Sequence, residues 1–257
     1  MATIAQVPER PRRPGRPFAA WHRWDRNFFA ALIAFVWLGI LMGFGLDIAD
    51  HIARNRPAFP LIVHIHAVVF VGWLALFTVQ AGLIRARRPA LHRRLGLAMA
   101  GLAVVVPVIG MATALYVDRL HLHDANPDPN FIFIQASDML AFTLLVGAGL
   151  ALRARPSVHK RLMLISLLYI SDAGFGRWIG DGVAAAIASP YWADFAGDYL
   201  ASDLGILALG LYDLVTRRRL HPAYVAAALG AVAVQLAGTW GHVSPAARPL
   251  ALALIGG

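Results

Sequence analysis

Apolar residues fill seven stretches of the chain, at about 28–47, 60–84, 94–117, 131–152, 161–180, 199–216 and 223–241, and polar and basic residues gather at the joints between them. A helix needs roughly 20 mostly apolar residues to cross a bilayer. The pattern therefore predicts an all-α fold, an integral membrane bundle of seven transmembrane helices occupying residues 28–241. Residues 1–27 are rich in Pro and Arg and lack the apolar core of a signal peptide, which predicts a disordered basic cytoplasmic tail with Trp21 and Trp24 at the interface. Residues 242–257 are apolar but too short to span, and form a short extracytoplasmic tail that either docks on the bundle or frays. The stretch 183–198, with Tyr191, Trp192, Phe195, Asp194 and Asp198, reads as a segment lying in the headgroup region.

Charge orients the bundle. Of the 23 Lys and Arg residues, all but Arg54, Arg56, Arg119, Arg177 and Arg248 fall on one side when each is assigned to its nearest joint. Short cytoplasmic loops carry the excess of Lys and Arg, so the N-terminus is placed in the cytoplasm and the C-terminus outside. The setting this predicts is multi-pass, in a cytoplasmic (inner) membrane.

Composition narrows the classes further. The chain is 59% hydrophobic and 14% charged, against roughly 45–50% and about 25% for soluble domains. The net charge of +9 lies in short arginine runs between apolar segments, so its partner is the lipid bilayer and not nucleic acid. There is no cysteine, which excludes disulfides and thiolate metal sites. The only lysine, Lys160, sits at a helix boundary, which argues against a retinal Schiff base.

Ionisable groups inside a bilayer cost a few kcal/mol or more and mark functional sites by default. His64 and His66 fall in the outer part of the second span, Gln135 and Asp138 in that of the fourth, and Asp203 in that of the sixth. Asp172 falls near the middle of the fifth, with Arg177 beyond it. The inner half of the spans is nearly empty of such groups. This asymmetry predicts a polar cavity opening to the extracytoplasmic face. Two positions apart is about 200° around a helix, so His64 and His66 face different ways. His66 heads a stripe with Trp73 and Gln80 and is the expected cavity residue; His64 heads a small-residue stripe suited to helix contact and is the expected support. Four glycines in nine residues, Gly174 to Gly182, allow a broken or closely approached helix beyond Asp172.

Imidazole with carboxylates suits zinc, iron or copper, and imidazole also ligates haem iron. His64, His66, Asp138 and Asp172 are thus the candidate cofactor-binding set, and His66, Asp138, Asp172 and Asp203 the candidate metal ligands. Arg177 is the candidate ion-pair partner of an aspartate. Two other chemistries fit the same residues: a buried structural network, and a proton or solute pathway. RARRPALHRRL at 85–95 also echoes RARPSVHKRL at 153–162, either through duplication of a helix pair or because both are basic loops.

HIHAVVFVGW, Gln80, LHRRLG and HKRLM together resemble a group of polytopic bacterial membrane proteins similar to the YozB or CtaM-like family, which is linked to maturation of haem-copper oxidases. The resemblance covers the second to fifth spans. It implies functional histidines at His64, His66, His92 and His159, and respiratory-chain assembly partners. A second comparison, with seven-helix zinc hydrolases of the ceramidase type, implies hydrolysis of a lipid-like substrate. The last span offers only His242 for it, at its end.

Overall fold

The computed structural model describes residues 18, 19 and 21–256; of the expected disordered tail, residues 1–17 lie outside the described residues. Among the described residues the fold is all-helical, with seven helices long and apolar enough to cross a membrane. They are α1 (Asp25–Ala53), α2 (Leu61–Arg85), α3 (Pro89–His121), α4 (Ile132–Ala151, entered through a 3-10 turn at Pro129–Phe131), a segmented fifth span, α8 (Pro190–Arg217) and α9 (Pro222–Val243). The fifth span consists of α5 (Pro156–Tyr169), α6 (Asp172–Phe175), a π-helical turn (Gly176–Gly180) and α7 (Asp181–Ala185). Proline at the first helical position starts α3, α5, α8 and α9, where its fixed φ fits and its missing N–H costs nothing.

α5 is the centre of the bundle. Its residues Arg161–Tyr169 are all buried, the mark of a helix enclosed on every side, and it packs against α1, α4, α8 and α9. The other spans bury one stripe and turn the rest outward: Leu41, Val68, Leu97, Leu207 and Val215 are each more than half exposed. So much exposed apolar surface is tolerable only in lipid.

The fifth span bends as its glycines allow. The helix opens at Ile170 and Ser171 between α5 and α6. Beyond the break, Gly174 lies against the α1 backbone at Gly39 and Gly43, and Gly180 against Gly197 of α8, so closely that a Cβ at Gly43, Gly174 or Gly180 would collide with main-chain atoms. Close approach of this kind is how membrane helices gain packing without a hydrophobic drive between them.

Three boundaries differ from the sequence reading. α1 starts at Asp25, inside the expected tail, because that carboxylate is held by α5 and α8. Residues 190–198 form the first turns of α8: Pro190 starts the helix, and Tyr191 donates to the Leu236 carbonyl of α9 (2.9 Å). The apolar tail forms α10 (Arg248–Ile255), and its Ala251 and Ile255 are buried against Ala114 and Ile132.

A charge cluster ties the arginine-rich end. Arg161, fully buried, holds Asp213 of α8 with both branches (2.7 and 2.5 Å). Asp25 takes Arg217 (2.9 Å), Lys160 (2.8 Å) and the Tyr212 hydroxyl (2.6 Å). Phe18 closes the cluster, with the Arg161 and Arg217 guanidiniums over its ring and its edge on His221. Removing one partner of a buried pair strands the other charge, at a cost of roughly 3–5 kcal/mol, whereas replacing both with apolar side chains is often near neutral. Asp213→Asn should therefore lower the thermal unfolding midpoint in detergent sharply. Arg161→Met combined with Asp213→Leu should recover most of the loss; a double variant no better than the single one would show that the charges themselves are needed.

Candidate functional site

The remaining buried polar groups lie mainly towards the opposite end, in two linked sets. The deeper set centres on Asp138 of α4 and Asp172 at the start of α6, two buried carboxyl groups close enough to influence each other. The chain break at Ile170 and Ser171 frees the Ala173 N–H, which donates to Asp172 Oδ1 (2.6 Å). Asp138 Oδ1 and Asp172 Oδ2 are sealed from solvent and have no geometrically regular partner. Around them, Ser137 meets the Tyr199 hydroxyl (3.0 Å), and the fully buried Tyr169 presents an unpartnered hydroxyl 6.1 Å, ring to ring, from Tyr199.

The second set sits at the mouth. His242, at the end of α9, contacts Asp194 through Nδ1 (2.8 Å) and Asp128 through Nε2 (2.7 Å). Asp198 of α8 completes the set: Asp194, Asp198 and His242 each offer a ligand atom within 4.8 Å of the others. The spacing is a consequence of helix geometry, since residues four apart on α8 share a face. Asp198 Oδ2 is inaccessible and unpartnered. Asn130 fixes the backbone beneath by donating to the carbonyls of Gly241, His242 and Ser244.

The residues expected from sequence are only partly gathered. Asp138 and Asp172 meet. Asp203 does not join them by a hydrogen bond; it accepts from Gln235 Nε2 (3.0 Å). His66 stacks on Phe70 (4.0 Å) with Nδ1 sealed and unpartnered, and its helix α2 packs mainly on α3 while touching α4 where Trp73 meets Phe142 (5.1 Å), one turn from Asp138. Among the described residues, His66, Asp138, Asp172 and Asp203 do not bring ligand atoms within 4.8 Å of one another as a set. His64 is exposed, edge-on to Phe59 (6.4 Å), outside any cavity. Of its stripe, Val68 and Val71 face outward, while Thr78 makes the expected helix contact by accepting from Trp37 Nε1 of α1 (3.0 Å). The ion pair expected of Arg177 is not formed. The π-helical turn carries its side chain out over Phe44 (4.6 Å), where it donates to the Ala173 carbonyl (2.7 Å).

His242, Asp194 and Asp198 were the residues that sequence reasoning set aside, as a helix end and a surface segment. The available signal was the Asp-x-x-x-Asp spacing, which becomes meaningful once 190–198 is helical. Comparison with family models, curated proteins and solved structures gives no match. The site's chemistry therefore stands on its own geometry.

Burial works to raise the Asp128 pKa, but the bond to His242 outweighs it and holds the carboxyl below the usual carboxylate range. A depressed folded-state pKa gives stability that is present above the unfolded value, about 3.9, and lost as pH falls through the folded one. Asp128 is half exposed, so screening keeps the effect below about 1 kcal/mol. Between pH 5 and pH 3, the unfolding midpoint should fall slightly more for the wild type than for Asp128→Asn. Equal slopes would mean that the His242 bond does not form in solution.

Proposed function

We propose that this chain is a multi-pass protein of a bacterial cytoplasmic membrane, oriented with the arginine-rich end in the cytoplasm, and that it binds a divalent metal ion at Asp194, Asp198 and His242 on the extracytoplasmic side. The observation that carries this reading is the convergence of the three donors within 4.8 Å, with the second imidazole nitrogen held by Asp128. Metal-bound imidazoles usually rest on such an outer carboxylate. One imidazole and two carboxylates suit zinc or ferrous iron better than a softer ion, and the single imidazole disfavours haem here. The role is maturation of a respiratory oxidase or of its cofactor, with assembly partners in the same membrane.

A second reading is favoured by the Asp138–Asp172 pair: a proton-coupled carrier whose deep carboxyls exchange a proton as the mouth site loads and empties. It predicts pH-dependent uptake abolished by Asp138→Asn with metal binding retained. A lipid hydrolase built on the same ion has less support, because Asp128, the remaining carboxylate at the mouth, is committed to His242 and not free as a base.

Zinc titrated into detergent-purified protein should bind at about one ion per chain. His242→Ala and Asp198→Asn should abolish saturable binding, and Asp128→Asn should weaken it by roughly 10–100-fold. Binding should also release a proton and weaken as pH falls. An affinity unaffected by His242→Ala would overturn the proposal.

A further inference from the structure

The arginine-rich end holds a second group of polar side chains that the mouth site leaves unused. α3 and α5 begin alike: an arginine (Arg88, Arg155) precedes a first-turn proline (Pro89, Pro156), and a histidine follows three residues later (His92, His159). The arginines share nearly the same φ, −109° and −111°. α4 packs on both helices, and the two histidines face each other across their starts. The ring centroids lie 6.3 Å apart at an interplanar angle of 76°.

That separation has chemical meaning. A metal–imidazole bond of about 2.0 Å puts the metal about 3.2 Å from the ring centre, so two trans imidazoles on one metal have centres about 6.4 Å apart, and two at a right angle about 4.5 Å. The observed distance fits the trans arrangement without moving either helix. His159 Nδ1 contacts the Gly149 carbonyl (2.8 Å). A carbonyl only accepts, so Nδ1 carries the hydrogen and Nε2 keeps its lone pair for a ligand bond. His92 Nδ1 is sealed and unpartnered.

Independent polar groups point into the same place. Gln80 of α2 is 8% exposed, yet neither atom of its amide has a partner. That amide faces Gly96, one turn beyond His92, where a Cβ would meet nothing nearer than Gln80 Nε2 at 3.6 Å. A glycine there leaves the α3 backbone open beside the imidazole. Orphaned groups of this kind in a packed interior call for a ligand.

We infer that His92 and His159 are the two axial ligands of a haem iron at the arginine-rich end. A trans pair leaves four equatorial positions, and a macrocycle supplies all four. Arg93 and Arg94, exposed on the same turn as His92, offer cations to carboxylate substituents at the ring edge. This inference uses no residue of the mouth site, so the two fail separately.

The test is the absorption spectrum, pyridine haemochrome assay and metal content of the full chain purified in mild detergent, with hemin added where the protein emerges without it. About one haem per chain with a six-coordinate, low-spin spectrum is expected. His92→Gly and His159→Gly should each lose the low-spin form, and free imidazole should restore it in a folded variant. His242→Ala and His66→Ala should keep it. Failure of the wild type to bind hemin, copper bound in place of haem, or a low-spin spectrum that survives His92→Gly would each overturn the inference.

Discussion

The bundle depends on neutralising charge where water is absent. Arg161 lies on the helix that every central packing contact shares, fully enclosed, and could not remain there without the two-branched bond to Asp213. A lone ion in such a setting costs several kcal/mol even after relaxation. The pair fixes α8 against α5, Asp25 fixes α1 to both, and the polar features at the far end inherit their positions from that arrangement. Asp194 and Asp198 face His242 because α8 is held in register along its whole length.

The molecule separates its polar chemistry by depth. One end carries paired charges, the two facing imidazoles and the Gln80 amide. The other carries the carboxyl pair and the Asp-His-Asp mouth. Between them, α5 and its neighbours form a dry layer of Phe142, Ile165, Leu167 and Leu168, all within 1% of complete burial. In the proposed orientation the two ends face different aqueous compartments.

Hydropathy made the seven spans legible because each helix must satisfy its own backbone in lipid, and the four glycines beyond Asp172 made the broken fifth span legible. Asp138, in the outer part of the fourth span, and Asp172, near the middle of the fifth, come close because α4 packs along the fifth span. Depth alone does not say which side chains meet: α2 touches α4 at Trp73 and Phe142, yet His66 stacks on Phe70 and does not join the acids in a ligand group. The Arg161–Asp213 pair escaped notice because a single aspartate near a basic joint looks like a surface residue until the helix on its far side is known. Asp194 and Asp198 do not stand out in sequence because the aromatic residues around them dominate the pattern, and only the helix that Pro190 starts puts the two carboxylates on one face.

Topology links all of these features, since every role assigned to either end depends on which compartment it faces. The chain has no cysteine, so single cysteines can be labelled without background. Asp124→Cys in the exposed loop beside the mouth and Ala86→Cys in the exposed turn between α2 and α3 should be treated with a membrane-impermeant maleimide on intact spheroplasts and again after lysis. Labelling of position 124 before lysis and of position 86 only after it is the predicted result. The reverse order, or labelling of both from one side, would contradict the seven-span orientation.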